Sequence, residues 1–130
     1  EIEVVPSRAE VKREERHLAL ARTSPHDRAT YLETTKEACG DLWELVWAIG
    51  VYESANYTAW ANTNNAWGRK SISGGWMSWP SFSLAVKDEC DYLQTQYLDK
   101  GLDTPEKMQK KYAGGSTTWG ARVVSIIDEL

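Results

Sequence analysis

The sequence has no long apolar run. No stretch approaches the ~18–20 residues that a membrane-spanning helix requires, so no span is expected. A basic excess is also missing. Lys and Arg total 15 against 19 Asp and Glu, giving a net charge of −4 and a pI near 5.2, whereas a dedicated nucleic-acid binder needs a cationic surface. There is no Cys-x-x-Cys pair, no His-Glu-x-x-His, no glycine-rich phosphate loop and no internal repeat. The usual signatures of zinc, thiol-redox and nucleotide chemistry are therefore missing, and neither a metal nor a cofactor is expected. His17 and His26 both fall in the charged N-terminal third and read as solvent-facing. The chain opens Glu1-Ile2-Glu3, without Met or a signal-peptide apolar region, which suggests an excised domain or mature fragment.

Phenylalanine is almost absent: one Phe stands against seven Trp and six Tyr in 130 residues. The rest of the composition, 42% apolar and 26% charged, is that of an ordinary globular domain. Trp and Tyr pair a broad apolar face with a polar edge, which suits a half-wet binding surface. Cysteine is scarce but even in number. Cys39 and Cys90 either form one disulfide, stabilising by about 4 kcal/mol in the chain-entropy model, or stay as two small buried thiols.

Residues 1–23 are dense in charge, with a Ser7/Glu10 capping pattern, and read as a solvated helix or connector. Residues 24–130 read as the domain proper. Ser24-Pro25-His26-Asp27 starts a helix that Gly40 stops, with Leu32, Thr35 and Cys39 on one face. Asp41 and Glu44 form a second helix start. The helix that follows is apolar almost all round up to Glu53, so it is expected at the centre of the domain. Ser81 caps a helix with an inward stripe of Phe82, Ala85, Val86, Cys90, Leu93 and Tyr97. Cys90 on this stripe makes a bridge to Cys39 geometrically reasonable. Thr104-Pro105-Glu106 opens a short helix ending near Tyr112. The last helix carries Trp119, Val123, Ile126, Ile127 and Leu130 as an apolar stripe, which docks the C-terminus.

Between Glu53 and Asp88 there is no acidic residue. Residues 55–80 are instead rich in Asn, Ser, Gly and Trp without a regular period, and a loop this long inside a compact domain is usually functional. Glu53 therefore stands alone at the end of a buried helix. Apolar surroundings and the negative end of the helix dipole both favour its protonated form. A carboxylic acid of that kind can protonate a glycosidic oxygen. The adjoining Tyr57, Trp60, Trp67, Trp76 and Trp79 offer flat faces for sugar rings. Trp43, Trp47 and Trp119 read as helix packing.

A resemblance narrows this reading. Glu53-Ser54 is followed by Asn64-Asn65-Ala66-Trp67-Gly68-Arg69-Lys70, then Trp76-Met77-Ser78-Trp79-Pro80-Ser81, Tyr92-Leu93, Lys111-Tyr112-Ala113 and Trp119. In that order, residues 41–130 resemble the glucosaminidase-like peptidoglycan hydrolases of the lysozyme superfamily, which include autolysin and flagellar muralytic domains. The resemblance implies an all-α, lysozyme-like fold with a long irregular loop lobe. It implies that Glu53 is the general acid and that Tyr112 faces the cleft beside it. It implies that Asn65, Trp67, Gly68 and Lys70 shape the floor of a glycan groove. Many relatives have Gly and an aromatic after Glu-Ser, where this chain has Ala55-Asn56-Tyr57.

The expected partner is the glycan strand of peptidoglycan, met outside the cell: at the wall, in the periplasm or on a virion, within a larger multidomain protein or a phage or secretion assembly. A two-carboxylate glycosidase needs a second nearby acid; Asp88, Glu89 and Asp91 lie on the next helix and are read as too distant. A one-acid site leaves three routes open: attack by the substrate's N-acetyl group, attack by its 6-hydroxyl to give an anhydro sugar, or a held water. Arg69 and Lys70 suit an anionic substrate. Two other readings stand beside the enzyme: a non-catalytic glycan-binding module and a structural interaction domain.

Overall fold

The computed structural model describes residues 25–58 and 63–130. Residues 1–24 and 59–62 lie outside it, and with them the charged N-terminal segment, His17 and Trp60; the side chain of His26 is also outside the description. The fold is all-α. Its helices are α1 (Pro25–Cys39), α2 (Trp43–Glu53), α3 (Phe82–Gln96), α4 (Pro105–Tyr112) and α5 (Trp119–Asp128). Two 3-10 turns, Gly40–Leu42 and Leu98–Lys100, join neighbouring elements. Among the described residues the only extended pairing is the single antiparallel bridge Lys70–Trp76. None of the described helices is long and apolar enough to cross a membrane.

The boundaries follow local chemistry. Gly40 takes φ +54°, the left-handed conformation that ends α1. The hydroxyl of Ser81 accepts from the amide of Leu84, and that of Thr104 from Lys107, so both expected caps form. The expected Asp41/Glu44 box does not. Asp41 sits inside the 3-10 turn and the cap position of α2 is Leu42, without a side-chain bond. The direct run from α1 through the 3-10 turn into α2 leaves no extended residue to act as a cap.

Helix α2 is the centre. Val46, Trp47, Ala48 and Ile49 are fully buried, and each large apolar side chain so buried stabilises by roughly 2–3 kcal/mol. α1, α3 and α5 pack around it, and α4 packs on α5. Cys39 and Cys90 form the disulfide that ties α1 to α3. The C-terminal stripe docks through Trp119 and Val123, with Ile126 and Ile127 against the core, but Leu130 is half exposed.

The lone phenylalanine sits where aromatic rings converge. Phe82 lies 4.4 Å from Tyr31, 5.7 Å from Trp67 and 6.1 Å from Tyr57, centroid to centroid. Tyr57 in turn stacks on Trp47 at 4.1 Å. This cluster fastens the irregular segment after α2 to the helices. Gly50 makes the approach possible, because a Cβ there would fall 1.8 Å from the Tyr57 hydroxyl oxygen.

Candidate active site

The chain reverses sharply after Glu53. Ala55, Asn56 and Tyr57 all take left-handed φ, of 52°, 63° and 58°. Ser54 holds this turn: its hydroxyl donates back to the Gly50 carbonyl and accepts from the Tyr57 amide at 2.8 Å. The Asn56 amide reaches the Val51 carbonyl at 2.7 Å. The turn carries Tyr57 inward. Tyr57 is fully buried, with its hydroxyl donating to the Trp47 carbonyl. The expectation that Tyr57 contacts sugar is corrected: stacking on Trp47 gives its ring a dry partner.

Glu53 is left half-buried at the edge of a cleft of about 570 Å³. The cleft is lined by Tyr52, Glu53, Trp67, Gly68, Tyr112, Ala113, Ser116 and Trp119. Among the described residues of that lining Glu53 is the only acid. Trp119, read from the sequence as packing, is buried and also donates its indole N–H to Glu53 Oε1 at 3.3 Å. Its ring stacks on that of Tyr112 at 4.8 Å, so α4 and α5 together build one wall.

Tyr112 lines the cleft, but its hydroxyl turns down into the protein. It donates toward the Trp67 carbonyl at 3.2 Å and Glu89 Oε1 at 3.4 Å. Burial, with the carboxylates of Glu89 and then Glu53, pushes this phenol well above its ordinary range, so it stays protonated. Tyr112 thus serves to position the Trp67 segment; the expected charge-stabilising role next to the acid finds no hydroxyl aimed at Glu53.

Glu89, which the sequence suggests is too distant to act with Glu53, lies just beneath the site. It is fully buried on α3, 3.5 Å from Arg69 Nη1 and in contact with Tyr112. Burial raises its pKa to about 7, against the opposing pull of Arg69. It lines neither pocket and sits beneath the floor they share, against Arg69 and Tyr112. A signal existed. Glu89 falls on the same inward stripe as Phe82, Val86 and Leu93, and a carboxylate in an apolar stripe must have a partner.

The loop lobe is held by asparagines. Asn65 donates to the carbonyls of Arg69 and Met77 at 2.7 and 3.0 Å and accepts from the Arg69 amide at 3.1 Å. Asn64 donates to the Trp79 carbonyl at 2.8 Å. Asn65 thus braces the loop lobe from within, with its amide fully engaged, and lines neither pocket. Trp67 is 1% exposed, donates its indole N–H to the Val46 carbonyl at 3.0 Å and lines the cleft from below. Trp79 is half-buried, bonded to Asp88 at 2.9 Å, with Arg69 over its ring. Trp76 is half exposed and carries Lys70 over its ring at 4.5 Å.

A second pocket of about 220 Å³ adjoins the cleft through Trp67, Gly68 and Tyr112. Its remaining lining is Arg69, Lys70, Tyr92, Tyr97 and Lys111. The site therefore has an acidic end at Glu53 and a cationic, aromatic end at Lys70 and Lys111. No cluster of three or more His, Cys, Asp or Glu suited to a metal occurs among the described residues. No protein-family profile matches the chain, and no curated protein shows significant similarity to it.

Proposed function

We propose that this protein cleaves the β-1,4 glycan backbone of bacterial peptidoglycan, with Glu53 as general acid, on a lysozyme-like fold. The observation that carries the reading is the cleft itself. A lone carboxyl group ends a buried helix, is held by an indole N–H, and faces a groove walled by Trp67, Tyr112 and Trp119. Such a site combines apolar walls with one reactive polar group.

In the reaction, Glu53 gives its proton to the glycosidic oxygen as the bond from that oxygen to the anomeric carbon breaks. With no second acid among the described residues of the cleft lining, the electron pair that replaces it comes from the substrate. The N-acetyl oxygen can close on the anomeric carbon, after which water, deprotonated by Glu53, opens the ring. The alternative is the sugar's 6-hydroxyl, which passes its proton to Glu53 and leaves an anhydro end. The cell-wall substrate places the protein outside the cytoplasm, and the disulfide suits that setting.

Mass spectrometry of sacculi digested with the protein tests the reading. Soluble muropeptides with new reducing N-acetylglucosamine or N-acetylmuramic acid ends, or with anhydro ends, are expected, and the type of end names the bond and the route. Sacculi that bind the protein yet release nothing would make it a glycan-binding module.

A further inference from the structure

The cationic pocket next to the cleft has no part in proton transfer, yet it shares the cleft's floor. Three cationic side chains converge on it from two elements: Arg69 and Lys70 from the loop lobe and Lys111 from α4. Arg69 is already engaged by Asp88 at 3.6 Å and Glu89 at 3.5 Å, and lies 3.9 Å from the Tyr92 ring centroid. Its role is to fix the pocket's back wall. Lys111 forms no ion pair among the described residues; its Nζ donates to the Gln96 carbonyl and sits 4.4 Å from the Tyr97 ring centroid. Lys70 lies over Trp76 on the other side. No acid is among the described residues of the pocket lining. The ammonium groups of Lys70 and Lys111 thus flank a small aromatic recess, and Glu89, buried beneath it, is paired with Arg69.

We propose that this pocket is a carboxylate subsite, in which Lys70 and Lys111 take an acidic substituent hanging from the sugar bound at Glu53. The proposal rests on the glycan reading above. A glycan lying in the cleft crosses Trp67 and Gly68, and the shared floor brings a short branch on that glycan to Lys70 and Lys111. Lysine suits this role because it acts as a point charge on a movable stem, adapting to a carboxylate at the end of a flexible branch. A 220 Å³ recess accommodates such a branch terminus.

The test uses the full chain and two probes that differ only in charge: a muramyl disaccharide dipeptide with free carboxylates, and the same compound with those carboxylates amidated. Affinities are measured by calorimetry at low and high salt. The free acid is expected to bind wild type about tenfold more tightly than the amide, with the gap shrinking in high salt. Lys111→Gln and Lys70→Gln are each expected to narrow the gap and the double substitution to close it, whereas Lys111→Arg keeps it. Equal affinity of the two probes for wild type, or a gap that survives the double substitution, would overturn the subsite. Failure of the glycan reading looks different: neither probe binds, and sacculi release nothing.

Discussion

The indole N–H of Trp119 donates to Glu53 Oε1 at 3.3 Å, joining the first turn of α5 to the last turn of α2 across 66 residues of sequence. The bond fixes one carboxyl oxygen and leaves the group half-buried at the cleft. Trp119→Phe keeps a ring against Tyr112 and removes the donor. A hydrogen bond to a neutral group contributes about 0.5–1.5 kcal/mol, so glycan release by the folded variant should fall about two- to tenfold. Turnover measured well below the unfolding temperature checks this; an unchanged rate would mean the indole does not hold the acid.

Glu89 predicts an unusual pH dependence of stability. Its pKa in the fold is about 7, against 4.5 for an ordinary Glu, chiefly because it is buried. Between those values the native protein holds a proton that the unfolded chain has released, so stability falls as pH rises through this window. The single-group effect is about 3 kcal/mol, complete by about pH 8. Urea unfolding from pH 4.5 to 8 should show this decline in wild type relative to Glu89→Gln. Parallel curves for the two proteins would show that Glu89 ionises normally.

The turn after the acid helix predicts a stabilising substitution. Ala55 takes φ 52°, where a Cβ costs roughly 1–2 kcal/mol. Ala55→Gly should raise stability by about 1 kcal/mol, less the entropy Gly adds to the unfolded chain. Calorimetric melting reads the shift, and a lower melting temperature would contradict it.

The Cys39–Cys90 bond spans 51 residues and joins α1 to α3. Loop closure of that length stabilises by about 4 kcal/mol in the chain-entropy model. Urea unfolding with and without reductant should show a loss of that order, reproduced by Cys39→Ser paired with Cys90→Ser. A midpoint indifferent to reductant would assign the stability to the core alone.

These residues also mark how far the sequence could be read. The helices were legible because each has a period and a punctuation mark: Gly40, Ser81 and Thr104 sit where α1 ends and α3 and α4 begin. Glu53 was legible because an apolar helix ends on it. The loop lobe was not, because its order comes from side-chain amides. Nothing in the spacing of Asn65 says that it binds Arg69 and Met77, and nothing local says that Tyr57 turns inward while Trp76 stays out. Trp119 looked like packing and is packing, yet its one polar atom reaches the acid. A helical stripe reports which face is buried and not what that face touches.

The most direct measurement is glycan release from purified sacculi by wild type and Glu53→Gln at equal protein concentration, with melting temperature and sedimentation onto sacculi measured in parallel. A positioned general acid contributes about 10²–10⁴-fold. Release by Glu53→Gln is therefore expected to fall about 10³-fold while folding and wall binding persist. Retention of most of the wild-type rate by Glu53→Gln would contradict the assignment of Glu53 as the acid.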